Sequence, residues 1–393
     1  MPKKDPIITS IDIGTSKISM VTGRLNATNT IDILGKSTVI LNGMTRGQID
    51  NPDVFFDAFQ NGLNRLQAVT SLPVTDVLIN VPNYQSKLVV QTGIADRLTN
   101  ESMTACRNQA MRRATQCVDQ HHHSILHVYP IRHRIHHPLS NENGHVEVDT
   151  GIVLCDRINL TTILNIVHSL RLRIRGIIND YLTMPTLIPH PISSTAPFMM
   201  VDIGAQLTSY CVIDDRCVVT AKTVPFGAQS ITLNLAKQLH CSYSEAERVK
   251  VLHGSLMPHD TPLIPVHCKD GPYYYPPSHV SSIIEQWANH LMGIITADPQ
   301  MHRIHTVYLL GGGAYINGLC EWITHRHHPS WSVQLCASPT NQNDQIAIAQ
   351  LMYSHQQRII IPPQKRWPHR IWDRHRLIRH SSPPFQSNIN VFS

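Results

Sequence analysis

Three short stretches hold residue types that can work together on a phosphate. The first is Asp12-Ile13-Gly14-Thr15-Ser16-Lys17, set between the apolar runs 7–11 and 18–21. A turn of this kind, closing a strand hairpin, converges backbone N–H groups and small hydroxyls with no bulky side chain in the way, which suits phosphate oxygens. The carboxylate of Asp12 beside it can hold a hydrated Mg²⁺, and Lys17 is available to a phosphate. One such turn is also what an ordinary hairpin looks like. The second stretch repeats the features about 190 residues later: the run 198–201, then Asp202-Ile203-Gly204-Ala205, then Tyr210 to Ile213. The third is Val307-Tyr308-Leu309-Leu310 running into Gly311-Gly312-Gly313-Ala314. A buried strand that ends in glycines lets the backbone lie close against a purine or an α-phosphate, and it equally makes a tight strand-to-helix turn.

The elements that must position these stretches follow from periodicity. Strands are expected at 7–13, 18–21 and 31–41, a loop at 43–47, and an amphipathic helix over 51–69 from Val54, Phe55, Ala58, Phe59, Leu63 and Leu66. From Thr75 the expectation is strands at 77–79 and 88–90, a helix over 100–117 with Asn100 as N-cap, and a histidine-dense strand pair over 125–136. A strand at 146–154, a helix at 157–171 and a strand at 174–178 complete an α+β unit. A Pro/Ser-rich joint at 185–197 precedes the second strand–Asp–x–Gly–strand. Helices at 228–239 and 244–252, a Pro-rich loop at 258–278, a long helix at 279–296 and a strand at 305–310 follow. The repeat of the hairpin reads as a duplicated half.

Composition narrows the function classes. Charged residues are 15% of the chain against about 25% in an average soluble protein, and 25 histidines partly fill the gap. The 42% hydrophobic content is enough for real cores. Residues 361–393 hold six basic side chains and one acid, so nearly all of the net charge of +6 lies in the tail. A duplex-binding surface across the body is not indicated, and a polyanion contact at the tail is. Nine scattered cysteines without a CxxC read as reduced thiols. No apolar run approaches the roughly 20 residues of a membrane span, and the start lacks the apolar core of a signal peptide, so secretion and membrane insertion are not expected.

The order of the three stretches resembles the actin/hexokinase/heat-shock-chaperone ATPase superfamily and, within it, the FtsA family of bacterial cell-division proteins. Ser244-Glu245-Ala246-Glu247-Arg248-Val249-Lys250, followed by His253-Gly254, resembles the helix by which that family holds a ribose. Leu126-His127-Val128-Tyr129-Pro130, the run Asn159 to Ile178, and Asn42-Gly43-Met44-Thr45-Arg46-Gly47 are similar to further family segments. The resemblance covers about residues 7–356. It implies an α/β, two-lobed actin-like (ribonuclease H-like duplicated) fold with an FtsA-type inserted α+β subdomain. The implied division is 1–75 and 164–194 for the first lobe, 76–163 for the insert, 195–232 and 300–357 for the second lobe, 233–299 for its outer subdomain, and 358–393 for a linker and tail. It implies ATP and Mg²⁺ as ligands, with Asp12 and Asp202 holding the metal through water. Gly14, Thr15, Ser16, Lys17, Gly204, Ala205 and Gln206 would meet the phosphates, Glu247 and Lys250 the ribose, and Gly311, Gly312, Gly313 and Ala314 the adenosine. The implied partners are FtsZ, further copies of the chain in actin-like protofilaments, later membrane proteins of the divisome, and anionic inner-membrane lipids, with no nucleic acid. The implied place is the cytoplasmic side of the inner membrane at the septum.

The second loop departs from the family pattern. Gln206 and Leu207 stand where Gly and Thr are expected, and Ser209 stands where a second carboxylate should be. A hydroxyl cannot replace a carboxylate as proton acceptor or metal-water ligand at neutral pH, so binding with weak or absent hydrolysis is expected. A small-molecule kinase of the same superfamily and a nucleotide-free scaffold are the alternatives. In the tail, a helix over 367–380 with Pro368 in its first turn groups Ile371, Trp372, His375 and Ile378 within about 120°. Trp367, Arg370, Ile371, Trp372, Arg374, Ile378 and Arg379 are the candidate membrane contacts, against an unfolded basic tail or a nucleic-acid contact. The family resemblance favours the membrane, although thirteen residues follow His380. His121 to His123, His127, His133, His136 and His137 lack the spacing of a structural metal site and read as surface imidazoles.

Overall fold

β-Branched and aliphatic residues crowd the runs around Asp12 and Asp202, and in the computed structural model both runs form hairpins at the centre of a sheet. The structure describes residues 7–25, 31–82, 84–96, 103–116, 122–136, 145–188, 196–257, 262–327, 329–336 and 344–356. The tail contacts expected over 367–380 and the N-cap expected at Asn100 lie outside the described residues.

The first lobe begins with β1 (Ile7–Ile13), β2 (Lys17–Leu25) and β3 (Ile31–Ile40). A small hairpin of β4 (Met44–Thr45) and β5 (Gln48–Ile49) leads to α1 (Pro52–Thr70) and β6 (Asp76–Ile79). Asn51 caps α1 by accepting from the N–H groups of Asp53 and Val54, and Phe55, Phe59, Leu63 and Leu66 face the sheet. An inserted unit of β7 (Lys87–Asp96), α2 (Met103–Gln116), β8 (His123–His136) and β9 (His145–Asp156) follows, and α3 (Arg157–Ser169) and β10 (Arg173–Ile177) return to the lobe. The crossing helix α4 (Asp180–Thr183) and a 3₁₀ turn at Met184–Leu187 lead to β11 (Phe198–Ile203), β12 (Thr208–Asp214) and β13 (Cys217–Val224). Then come α5 (Gln229–Gln238), α6 (Tyr243–His253), β14 (Ile264–Cys268), β15 (Gly271–Tyr275), α7 (Pro277–Thr296), β16 (Thr306–Leu310), α8 (Leu319–Trp322), β17 (Ser332–Leu335) and α9 (Gln345–Gln356).

The duplication is topological. The first sheet runs β10-β6-β1-β2-β3, and the second contains β17-β16-β11-β12-β13. In each, the hairpin strands are antiparallel and the two crossover strands parallel. Two helices cross between the halves. Tyr181 and Met184 of the α4 segment are buried with Phe198, Met200 and Cys211 of the second sheet. Ala347, Ile348 and Leu351 of α9 are buried with Ile8, Val21 and Leu78 of the first.

Four expectations shift. β6 pairs with β1 and β10, with Val77, Leu78 and Ile79 fully buried, so it belongs to the first lobe and the insert begins at β7, after the boundary set at 76. Likewise Leu160, Ile163, Ile166 and Val167 of α3 fill the first lobe's core, so that lobe resumes at Arg157 instead of 164. The histidine-dense pair is one long strand, β8. The Pro-rich loop contains the hairpin β14–β15, in which Pro265 and Pro272 are tolerated because a two-stranded sheet consists only of edges. The insert joins the second lobe: β7 continues its sheet beside β13 at Lys222 and Lys87, and the Tyr129 hydroxyl donates to the Val218 carbonyl at 2.7 Å. Among the described residues no helix is long and apolar enough to cross a membrane.

Candidate functional site

The two repeated stretches make the same turn. Asp12 pairs with Ser19 and Asp202 with Ser209, each two positions outside the turn glycine. The Gly14 N–H donates to the Lys17 carbonyl and the Gly204 N–H to the Leu207 carbonyl, both at 2.9 Å. Both turns line one cavity between the lobes, together with Asp12, Lys17, Asp180, Asp202, Gly311 and Gly312.

The cavity gathers buried carboxylates beside a lysine. Burial raises the Asp12 carboxyl above the ordinary carboxylate range, and the negative charge of Asp202 adds to it. Burial likewise pushes Asp202 up to about 6, with the positive charge of Lys17 opposing. Asp180 is raised well above its ordinary value, first by burial and then by Asp12 and Asp202. Burial lowers Lys17 while Asp12, Asp202 and Asp344 pull it back up. Three mutually repelling carboxylates at the junction of two phosphate-type turns fit a divalent cation and an anionic ligand. Among the described residues no trio of His, Cys, Asp and Glu is close enough to ligate an ion directly, so a cation here would be held through water and ligand oxygens, the habit of Mg²⁺.

Asn80, which follows β6, organises this cluster and was not anticipated. Its Oδ1 accepts from the Ile13 N–H at 2.7 Å. Its Nδ2 donates to Asp12 Oδ1 at 3.0 Å and to both oxygens of Asp180 at 3.1 and 3.2 Å. Asp180 was not anticipated either: it opens α4 just where the chain crosses between lobes, and its neighbour Asn179 caps that helix. The Asn179 N–H donates to Nε2 of His127 at 3.2 Å, which fixes the imidazole proton on Nδ1 and ties the insert to the crossing. Ser209, in the place of the missing carboxylate, meets Thr223 Oγ1 at 2.9 Å, and Thr223 meets the Tyr181 hydroxyl, so a neutral hydroxyl chain lines that wall.

Of the anticipated residues, Asp12, Gly14, Thr15, Ser16, Lys17, Asp202, Gly204, Ala205, Gly311 and Gly312 line the cavity. Gly311 has φ +80°, and a Cβ there would overlap Oδ1 of Asp202, so only glycine fits. Gly313 and Ala314 do not line it: both are buried, and Gly313 lies beneath the loop against Ile203 and Ala228. Glu247 and Lys250 also lie off the cavity lining. Thr232 Oγ1 donates to Glu247 Oε2 at 2.5 Å and Lys250 Nζ to the same oxygen at 2.7 Å, which ties α5 to α6. Gln206 sits at the rim and spans the lobes.

A duplicated sheet, two Asp-x-Gly turns facing across one cleft and a glycine-ended strand beside them define an actin-like protein. Solved structures agree on the fold. The chain is similar to the PilM-PilN type IV pilus biogenesis complex (TM-score 0.61, 14% identity, 90% of this chain and 99% of that one). It is also similar to MreB5 of Spiroplasma citri bound to ADP (TM-score 0.56, 11% identity, 90% and 97%). Sequence is more particular. The family model for cell division protein FtsA matches residues 199–350. Cell division protein FtsA of Buchnera aphidicola subsp. Acyrthosiphon pisum is 21% identical over 65% of this chain, and the match spans 62% of that relative, less than two thirds of its length. FtsA of Buchnera aphidicola subsp. Schizaphis graminum is 20% identical over 80% of this chain and 79% of its own. FtsA of Rhizobium meliloti is 22% identical over 81% and 79%. By sequence the chain is similar to the FtsA family over residues 199–350 and, at 20–22% identity, over most of its length.

Proposed function

We propose that the cleft binds ATP with Mg²⁺ and that the chain anchors FtsZ filaments to the cytoplasmic face of the inner membrane at the division septum. The observation that carries the nucleotide reading is the pair of turns at the same register, opening on one cavity beside three recessed carboxylates. Asp12 and Asp202 would hold the metal through water. The amides of both turns, the Thr15 and Ser16 hydroxyls and Lys17 would hold the phosphates, and Gly311 and Gly312 would lie against the nucleoside. Bound Mg²⁺ would neutralise phosphate charge and relieve the repulsion among the carboxylates.

Hydrolysis would be slow. Ser209 and its hydroxyl chain offer no base on one wall, which leaves Asp180 as the carboxylate nearest the proton-accepting role. Similarity to the family supports FtsZ, later divisome proteins and further copies of the chain as partners. The outer part of the second lobe supports a protein contact there, because Leu233, Val251, Leu252, Tyr273 and Tyr274 are exposed. The basic, tryptophan-bearing tail supports contact with anionic lipid.

Two measurements test this reading. Saturating Mg-ATP raises the melting temperature of the full chain by several degrees, since ligand at a hundredfold excess over Kd stabilises by about 2.7 kcal/mol. FtsZ filaments pellet with anionic liposomes when the full chain is present, and fail to do so with a chain stopped after Gln364 or with no added protein. No thermal shift with nucleotide would favour the nucleotide-free scaffold. FtsZ staying in the supernatant with the full chain would refute the anchor.

A further inference from the structure

Gln206 stands in the second turn where the family pattern has glycine, and it reaches across the cleft. Its Oε1 accepts from the backbone N–H of Arg46 in the first lobe at 2.6 Å. Its own backbone N–H donates to Thr15 Oγ1 in the first turn at 3.2 Å. A glycine could make the second contact but not the first.

Neither side of this clasp is loose. Arg46 is in the left-handed region at φ +50°, followed by Gly47 at +80°, and that turn aims the Arg46 N–H outward from the β4–β5 hairpin. The buried side chain of Asn159 holds the hairpin by donating to the carbonyls of Gly47 and Pro82, both at 2.8 Å. The Tyr84 N–H reaches the Arg46 carbonyl at 3.4 Å. On the other side the Gly204 N–H closes the turn on Leu207, and the Gln229 N–H at the start of α5 donates to the Ala205 carbonyl at 2.7 Å. Two anchored turns are thus joined through one side chain at the rim of the cavity.

The nucleotide reading, on which this inference rests, sets the direction of the ligand. With the nucleoside against Gly311 and Gly312, the last phosphate of a triphosphate is the group that must enter between the two turns and take donors from both. The donor that the second turn would supply, the Gln206 N–H, is turned onto Thr15, and the side chain ties the second turn to the β4–β5 hairpin of the first lobe, which holds the two phosphate turns at that spacing. A diphosphate needs no donor there. We propose that Gln206 is a specificity determinant that makes this cleft favour a nucleoside diphosphate over the triphosphate. A third phosphate must open a clasp of two hydrogen bonds, which sets a preference of about tenfold.

The test is titration calorimetry of the full chain with Mg-ADP and with the non-hydrolysable triphosphate Mg-AMPPNP. The diphosphate binds about tenfold tighter to the native chain. Gln206→Met keeps the length of the side chain and removes the acceptor, so the ratio falls toward one. Gln206→Glu keeps an acceptor for Arg46 and adds a negative charge at the rim, so the ratio rises above the native value. The ordering of Glu, native and Met separates a hydrogen-bonded clasp from simple bulk, and either variant alone carries the test if the other fails to fold. Equal affinities in the native chain, or a ratio unchanged in both variants, overturn the proposal while leaving the nucleotide site intact. Absence of binding by both nucleotides overturns the nucleotide reading itself.

Discussion

Replacing Asn80 tests the physical account of the cleft most sharply, because this side chain is 1% exposed and serves three partners at once. In Asn80→Ala the Ile13 N–H, buried at the end of β1, loses its acceptor, at a cost of about 1–3 kcal/mol. Asp12 and Asp180 lose the donor they share, and a hydrogen bond to a charged group contributes about 1.5–3 kcal/mol. Part of that second loss is recovered, because burial already drives both carboxyls toward their neutral forms. The expected net loss is about 3–4 kcal/mol in urea denaturation near neutral pH. Asn80→Asp behaves differently: it keeps the acceptor for Ile13 but adds a carboxylate to a cluster that already repels itself. It is therefore as destabilised as the alanine variant without divalent cation, and millimolar Mg²⁺ restores it more than it restores the alanine variant. A loss below about 1 kcal/mol in Asn80→Ala, or identical Mg²⁺ responses of the two variants, would refute the argument that Asn80 holds a cation-ready carboxylate cluster together.

Two further outcomes follow from single positions. Gly311→Ala forces a side chain into a backbone at φ +80° and onto the Asp202 carboxylate. With ψ at 166° this is a backbone region that essentially only glycine adopts, at a cost of about 1–3 kcal/mol for other residues, so the variant loses at least the lower end of that in stability together with its nucleotide-dependent thermal shift; a variant that keeps both would show that the loop has another path past Asp202. His127 is held at about 4, below its ordinary 6.5, by burial. Its neutral form is the folded one, so the stability it contributes is complete above 6.5 and disappears as pH falls toward 4, by about 2–3 kcal/mol. His127→Phe flattens denaturation midpoints measured across that window, and a curve parallel to the native one would sink the assignment.

Most of what could be read before folding was local. The two Asp-x-Gly turns were legible because a hairpin turn is specified by a few adjacent residues, and their repetition exposed the duplication. Gly311 was legible for the same reason: a strand that ends on glycine marks a backbone position that side chains cannot occupy. The β14–β15 hairpin was hidden by Pro265 and Pro272, which signal a loop unless the pair is known to lie at an edge. Glu247 and Lys250 carry the residue types suited to a ribose, yet each finds its partner in Thr232 and in the other.

The residues that complete the cleft were decided by tertiary structure alone. Asn80 and Asp180 are single polar residues at the ends of ordinary elements, 100 positions apart, and nothing in their neighbours marks them. They meet because β6 lies beside β1 and the crossing helix starts at the same end of the sheet. Gln206 was visible as a departure from a pattern, but its effect depends on Arg46, which only the closing of two lobes brings within 2.6 Å. The chain's local chemistry determined two phosphate-type turns and a duplicated fold. The distance between the turns, the charge that gathers there and the side chain that spans them belong to the packing of the lobes, because electrostatics and hydrogen bonding act through space and not along the chain.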